Sequence, residues 1–570
     1  MIEALGISMV KNEVDVIEAF VRHNLQFMDA MVMIDNDSAD ATREIIVMLQ
    51  QEGLPLILFD DPVVAHFQAE IVTVVYRKVV PKFKPRFVFL LDADEFIVAP
   101  SRETLYLQLR TMRPGTQAQY RWRTYIPAPT GAAADTTDPL RSITHRRAVE
   151  ETWWKTIIAT KPKIDMKLKI QQGNHDVKFA GRSLRRLSLR NVALAHFPVR
   201  SVDQITGKVL VGWIANMERN RYAPDGGYAF QWKGLYERIT RGTGLTPEDL
   251  TLEALKYGQS SPTQSRWPQD VVCDPVLPAY ATLALRPKTD STALQKVLKS
   301  VDKIFNPDAA LSGHEKAIAL LHDANRKRTI WRDFLWPSTS GRHRRRERYI
   351  DLPPFRHLAD RHRPVAVLGI GSESAPYLKY FASLGAERTM VVDPVEGRSG
   401  HLRRGDYTSG GLGELVESAE TFDLVVCVAA ANHPLAQSER VLVDNVVRHA
   451  DQRIVFCGTP PPERRAHNTH VRPLSLWLDL FASVGWYPRL FDSLALQSLS
   501  TFPWLRGSLV VLTRDDRGAA AAHDRLTELE QERINWNKAR PEVITHPFTE
   551  TVRTLFPSWK TRWIRRALRK

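Results

Sequence analysis

The chain has 570 residues, 43% hydrophobic and 25% charged, ordinary proportions for folded globular protein. That length fits about two to four domains, each able to bury its own core. Lys and Arg number 79 against 64 Asp and Glu, a net charge of +15, so acidic partners such as phosphorylated sugars, nucleic acid or anionic membrane are favoured. Three scattered cysteines (Cys273, Cys427, Cys457) exclude a disulfide framework and a Cys-type zinc site. No apolar run reaches the roughly 18 residues of a membrane span. Met1-Ile2-Glu3-Ala4-Leu5-Gly6 lacks the start of a signal peptide, so a cytoplasmic setting is expected.

Residues 2–10 are strand-like, and 14–25 place Val16, Ile17, Phe20, Val21 and Leu25 at helical spacing. Residues 31–34 form a short strand ending in Asp35-Asn36-Asp37-Ser38-Ala39-Asp40-Ala41-Thr42, acceptors and turn formers suited to a loop and helix cap. A third strand is expected over 54–59, a helix over 63–80 and a fourth strand over 87–91. Such alternation implies a parallel sheet. The fourth strand, Phe87-Val88-Phe89-Leu90-Leu91, runs straight into Asp92-Ala93-Asp94-Glu95. Ligands of open α/β sheets bind at the carboxyl ends of strands. Two Asp residues so placed can hold a divalent cation, and the cation a diphosphate that bare carboxylates would repel. The clusters 35–40 and 92–95 are expected to face one crevice.

Lys11-Asn12-Glu13, the run from Ile34 to Thr42, and Leu91-Asp92-Ala93-Asp94-Glu95-Phe96 resemble family-2-type glycosyltransferases of the GT-A nucleotide-sugar-binding fold. Lys155, Gly173-Asn174-His175-Asp176, Ala195-His196-Phe197-Pro198-Val199-Arg200-Ser201 and Lys208 extend the resemblance to about residue 255. It implies that Asp35 or Asp37 accepts from the base or ribose of a nucleotide-sugar donor. Asp92 and Asp94 would surround Mn²⁺ or Mg²⁺ on the diphosphate, with His196 as a further metal or phosphate contact. Arg200 and Lys208 would neutralise the remaining phosphate charge. Glu95, His175 and Asp176 are the candidates for a general base toward the acceptor hydroxyl.

Amphipathic helices are expected over 204–217 and 294–304, and residues 256–360 as a helical, basic linker region. The run Arg342-His343-Arg344-Arg345-Arg346-Glu347-Arg348 suits a solvated linker or an anion-binding patch. A second α/β pattern opens at Pro364-Val365-Ala366-Val367-Leu368-Gly369-Ile370-Gly371, a strand running into a glycine turn and a helix to about 384. Strand 388–392 ends in Asp393, about twenty residues after the turn, where an acid can take two ribose hydroxyls. Further strands are expected over 422–428 and 453–457, with both of their cysteines in the core.

Residues 361–515 resemble class I S-adenosylmethionine-dependent methyltransferases. Gly369, Gly371, Asp393 and Asp406 would bind that cofactor, and the run from Ala466 to Trp477 is similar to the G-H-x-N…W segment of one branch. His433 of Ala430-Ala431-Asn432-His433-Pro434 matches that branch, whereas its acids are absent and Ser372 and Ser374 stand where glycines are usual. From 516 the chain is a basic helical tail, in which Trp559, Trp563, Ile564, Ala567 and Leu568 share one helical face. The fold class expected is therefore α/β, two Rossmann-like domains joined by the helical linker. The function expected is transfer from a nucleotide sugar to a glycan or lipid-linked acceptor, plus methylation, in bacterial cell-surface polysaccharide synthesis. Peripheral contact of the tail with the inner membrane face goes with it. A degenerate, docking methyltransferase-like domain is the alternative; an RNA methyltransferase lacks any supporting RNA-binding motif.

Overall fold

The computed structural model describes residues 2–61, 66–129, 138–150, 153–222, 233–242, 244–259, 266–285, 292–305, 351–371, 374–392, 407–408, 420–428, 439–458, 472–501 and 505–539. The chain divides into two compact units, Met1–Ala310 and Leu311–Lys570.

The first unit is built outward from strand β1 (Ala4–Val10), all seven residues of which are buried. After helix α1 (Ile17–Asn24), β2 (Ala30–Asp35) pairs parallel to β1 with Val10 opposite Asp35. Helix α2 (Thr42–Gln51), β3 (Leu56–Asp60) and helix α3 (Gln68–Phe83) follow, and β4 (Phe87–Asp92) pairs with the other edge of β1, Met9 opposite Asp92. Helices over both faces explain why these strands read as unbroken apolar runs. The register therefore sets Asp35 and Asp92 on either side of the carboxyl end of β1.

An antiparallel half completes the sheet, and the sequence did not announce it. β5 (Glu95–Val98) leaves β4 at once; helix α4 (Arg102–Leu109), β6 (Gln117–Ile126), β7 (His145–Arg147) and β8 (Trp154–Ala159) follow, with β8 antiparallel between β4 and β6. A small sheet of β9 (Lys169–Ile170), β10 (Val177–Phe179) and β11 (Arg182–Ser183) precedes β12 (Arg186–His196), which pairs with β5 and sets His196 opposite Glu95. Phe96 fastens this junction, edge-on to Phe20 at 6.2 Å and to Phe197 at 5.4 Å. The helix expected over 204–217 is Val202–Tyr222 and that over 294–304 is Ala293–Phe305.

The expected linker begins inside the first unit. Strand β13 (Val271–Cys273) extends its sheet beside β7, and the Ala284 and Leu285 amides donate to Glu18 at 3.1 and 2.9 Å. Helix Ala293–Phe305 is capped by Asp203 and sends Lys299 to the Ala39 carbonyl at 3.1 Å. The first unit thus runs past the boundary expected at 255.

The second unit contains a seven-stranded sheet in the order β16-β15-β14-β17-β18-β20-β19. β14 (Ala366–Ile370), β15 (Arg388–Val392), β16 (Tyr407–Thr408), β17 (Phe422–Val428) and β18 (Ala450–Cys457) are parallel, and β20 (Leu509–Thr513) lies antiparallel between β18 and β19 (Tyr487–Pro488). Cys427 and Cys457 are buried in it as expected, and Cys273 is exposed. Gly371 turns with φ +89°, a left-handed backbone suited to glycine. Gly369 has a different use. A Cβ there would meet Leu378 at 2.6 Å and Ser374 at 3.0 Å, so this glycine serves helix–strand packing.

Asp393, Asp406, His433, residues 466–471, the basic run 342–348 and the Trp-bearing tail lie outside the described residues. Among the described residues no helix is long and apolar enough to cross a membrane.

The Gly369 contact gives a stability test. Gly369→Ala should cost about 1–3 kcal/mol through overpacking. Combined with Leu378→Ala, which opens the space, the two penalties should sum to less than their separate values. Urea denaturation of the single and double variants measures this; strict additivity would contradict the packing role.

Candidate active site

The end of β4 carries Asp92, Asp94 and Glu95, and the fold solves the problem of three carboxylates in four positions by bringing cations to them. Lys155, fully buried on β8, ion-pairs with Asp92 and stands 3.3 Å from Glu95. Lys208, on helix Val202–Tyr222, donates to Asp94 at 2.7 Å. Burial alone would raise the Asp94 pKa, but Lys208, then His196 and Arg200, outweigh it and hold the carboxyl well below its usual range. Burial wins at Glu95 and pushes its pKa to about 8 despite Lys155.

The two aspartates do not converge. Asp92 accepts from Gln68 at 2.8 Å and Asn174 at 3.2 Å on one oxygen and from Lys155 on the other. Asp94 points instead to Lys208 and, at 3.7 Å, to the His196 ring. Among the described residues no three His, Cys, Asp or Glu groups converge to hold a metal. Of the two acids expected to surround an ion, Asp92 is paired with Lys155 and Asp94 with Lys208. Asp94 Oδ1 and His196 Nε2 remain a two-ligand set. Such a set fits an ion bound largely by substrate phosphates better than a protein cage. His196 suits a ligand's role, because burial lowers its pKa to about 3 and leaves the ring neutral.

Three other expected roles change. Glu95 is 0% exposed, accepts from the Asp92 amide at 2.9 Å and the Trp122 indole at 2.7 Å, and is sealed from any acceptor hydroxyl. Arg200 spends its guanidinium on Asp15 at 2.6 Å, Glu13 at 2.6 Å and the Phe197 carbonyl at 3.0 Å. It braces the loop after β1 against the loop after β12, and does not stand open to phosphate. One guanidinium serves two acids: Asp15 is lowered by Arg200 against burial, and burial pushes Glu13 to about 7. Asp176 is engaged elsewhere, accepting from Gln117 at 2.8 Å and Ser183 at 2.6 Å, with Arg186 at 3.4 Å.

His175 is the base candidate that keeps a suitable geometry. Its Nδ1 lies 2.6 Å from the Trp154 carbonyl, an acceptor, so Nδ1 carries the hydrogen and Nε2 the lone pair. Burial, then Lys155, lowers its pKa to about 4, so it is neutral at pH 7.

At the end of β2, Asp35 accepts from the Ser38 amide at 3.2 Å through one oxygen, while its buried Oδ1 has no partner among the described residues. Burial raises its pKa to about 6. A buried acceptor without a donor is costly and is uncommon unless function needs it. Asp37 is half-buried on the loop beyond, with φ +57°. Asn12 Oδ1 accepts from the Ala39 amide at 2.6 Å, and Lys11 donates to the Asn36 carbonyl at 2.6 Å, so the Lys11-Asn12-Glu13 run shapes this loop.

Trp122, Gln68 and Tyr257 were not singled out in the sequence. Trp122 stacks on His196 at 4.2 Å and lies beneath Lys155 at 5.7 Å. The strict alternation of Gln117-Ala118-Gln119-Tyr120-Arg121-Trp122-Arg123 was the signal that could have found it, as a strand with Trp122 inward.

In the second unit, the described residues at the carboxyl end of β14 supply the Gly371 turn, closed by its amide to the Val392 carbonyl at 2.8 Å. Ser374, where a further glycine is usual, bonds the Ile370 and Val426 carbonyls at 2.9 and 3.1 Å and ties β14 to β17. The acid expected to hold the ribose of S-adenosylmethionine, Asp393, lies beyond the described residues.

No protein-family profile matches the chain, and no curated protein does. Solved structures overlap parts of it. The YcgJ protein of Bacillus subtilis is 20% identical, covering 22% of this chain and 62% of its own, at a TM-score of 0.18. The chain thus spans less than two thirds of that protein. A protein described as an S-adenosylmethionine-dependent methyltransferase from Listeria monocytogenes is 12% identical over 28% of this chain and 98% of its own, with a TM-score of 0.21. Mannose-1-phosphate geranyltransferase from Thermus thermophilus is 10% identical over 44% and 67%, with a TM-score of 0.18. At these scores the overlaps carry no activity across.

Asp35 yields a pH test with a definite sign. Its folded pKa, about 6, lies above the ordinary 3.8, so the folded chain holds this proton more tightly than the unfolded one. That contribution to stability is present below about pH 4 and is lost as pH rises through 6. Asp35→Asn should therefore stabilise the first unit at pH 8 by on the order of 2 kcal/mol, with little difference at pH 4. Urea midpoints at the two pH values measure this; the same difference at both would contradict it.

Proposed function

We propose that the first unit transfers a sugar from a nucleotide-sugar donor to a glycan or lipid-linked acceptor hydroxyl. One observation carries this reading: a buried, unpartnered carboxylate oxygen on Asp35 and a cation-neutralised carboxylate, Asp94, end the strands on either side of β1. The first offers an acceptor for a base or ribose donor group. The second brings Lys208, whose side chain is 27% exposed, to where a diphosphate can share its charge. A divalent ion carried by the diphosphate would take Asp94 and His196 as its protein ligands and offset leaving-group charge.

In the transfer, the bond between the sugar's anomeric carbon and the phosphate oxygen breaks as the acceptor oxygen bonds to that carbon. The acceptor proton passes to Nε2 of His175, and the nucleoside diphosphate departs with its charge met by Lys208. The Trp154 carbonyl holds His175 in the tautomer this requires.

For the second unit we propose S-adenosylmethionine-dependent methylation. The strand order, with the antiparallel β20 inserted next to the last strand, and the Gly371 turn after the central β14 support it. A bacterial cell-surface glycan as common target follows from the family resemblance, and membrane contact of the tail from its pattern of Trp, aliphatic and basic residues.

Turnover of a panel of nucleotide sugars, with and without Mn²⁺ or Mg²⁺, tests the first activity. At least one donor should be hydrolysed or transferred, and His175→Gln should lower transfer to an acceptor by about 10²–10⁴-fold. No turnover of any donor, or an unaffected His175→Gln, would contradict the assignment. Calorimetry with S-adenosylmethionine tests the second. No binding at millimolar cofactor would make the second unit a docking domain.

A further inference from the structure

An aromatic wall adjoins the carboxylate cluster on the side away from Asp35. Trp122 lies at its base, stacked on His196 at 4.2 Å, with Tyr257 edge-on to His196 at 5.2 Å. His175 packs against Trp122 at 5.4 Å, and Trp153 packs against His175 at 5.2 Å. Trp122 is 9% exposed, as a core residue would be, whereas Trp153 is 39% exposed. Trp153 is held firmly, its indole N–H donating to the Gly258 carbonyl and its own carbonyl accepting from the Trp122 amide at 3.1 Å. Trp153 therefore packs on Trp122 and His175 with one part of its fixed indole left open to solvent beside the proposed base.

We propose that Trp153 is the floor of the acceptor subsite and stacks on the apolar face of a pyranose ring; this rests on the glycosyl-transfer reading above. The chemistry favours a sugar over other occupants. The face of a pyranose presents several C–H groups of partial positive charge, which match the negative face of an indole. Its rim hydroxyls need polar partners: His175 packs on Trp153, Asp92 pairs with the Lys155 that lies over Trp122, and Lys208 pairs with the Asp94 beside His196. A purely apolar chain would have no use for them. The donor's base is placed elsewhere, because the unpartnered oxygen of Asp35 lies across β1 from this wall, at the end of β2. A sugar on Trp153 would direct a hydroxyl toward His175, the group proposed to take its proton.

Two measurements on the full chain test this. Saturation-transfer NMR with the methyl glycosides of glucose, galactose, mannose, rhamnose and N-acetylglucosamine needs no donor or turnover. At least one glycoside should bind the wild type, about ten-fold more weakly Trp153→Ala, and within about three-fold of wild type Trp153→Tyr, which keeps an aromatic face. If the wild type binds none, or Trp153→Ala binds as well as wild type, the subsite is wrong. Donor hydrolysis is measured separately. A donor KM raised about ten-fold in Trp153→Ala, with glycoside binding unchanged, would make this a donor platform instead. Failure of the wild type to hydrolyse any donor defeats the glycosyl-transfer reading, while glycoside binding judges Trp153 on its own. Thermal melts check folding, and should Trp153→Ala not fold, Trp153→Leu replaces it with the same ten-fold loss expected.

Discussion

Everything in the first unit depends on neutralising the carboxylates at the end of β4. Moving isolated charges out of water costs several kcal/mol per ion, so the buried Asp94 keeps its charge only with cations in contact, while Glu95 is raised to about 8 by its burial. Those cations come from far along the chain, Lys155 from β8 and Lys208 from the helix after β12. Their arrival imposes the antiparallel half of the sheet, because β8 must lie beside β4 for Lys155 to reach Asp92. It also explains Arg200, which ties the loops carrying Glu13 and Asp15 to the loop that delivers Lys208. The site is a charge network first. Its chemistry follows from which members stay exposed enough to meet a ligand.

Exposure and geometry separate the roles. Glu95 is sealed, Arg200 is spent, and Asp176 is engaged with the Gln117 and Ser183 side chains. Among the described residues, His175, Lys208 and Asp35 keep hydrogen-bonding capacity that the fold does not use. In a buried site that residual capacity is where ligand binding can be strongest, since an unpartnered acceptor regains a hydrogen bond only when a donor arrives.

The parallel half was legible in the sequence because strands buried on both faces are continuous apolar runs, and Phe87 to Leu91 ends on its acids without a break. The segment 388–392 was also placed to the residue, although only its Val391 and Val392 are buried. In the antiparallel half, β6 carries the alternation of a strand, but β12 hides its buried end behind polar residues. The acids were likewise visible and their partners were not. A DxD spacing says that two carboxylates lie near a strand end, and nothing about which way each turns. Asp92 turns to Lys155 and Asp94 to Lys208, a choice made by residues 63 and 114 positions away in sequence. Gly369 teaches the same lesson: glycine beside a turn signals close approach, but Leu378 is what approaches.

The central claim is that the ends of β2 and β4 bind a nucleoside diphosphate through Asp35 and Lys208. Calorimetric titration of UDP, GDP, CDP, ADP and dTDP into the full chain, with Mn²⁺ present, tests it most directly. One nucleotide should bind the wild type, and Lys208→Met should bind it at least about ten-fold more weakly through loss of one charge-assisted contact. Binding of none of the five, or equal binding by Lys208→Met, would contradict the account.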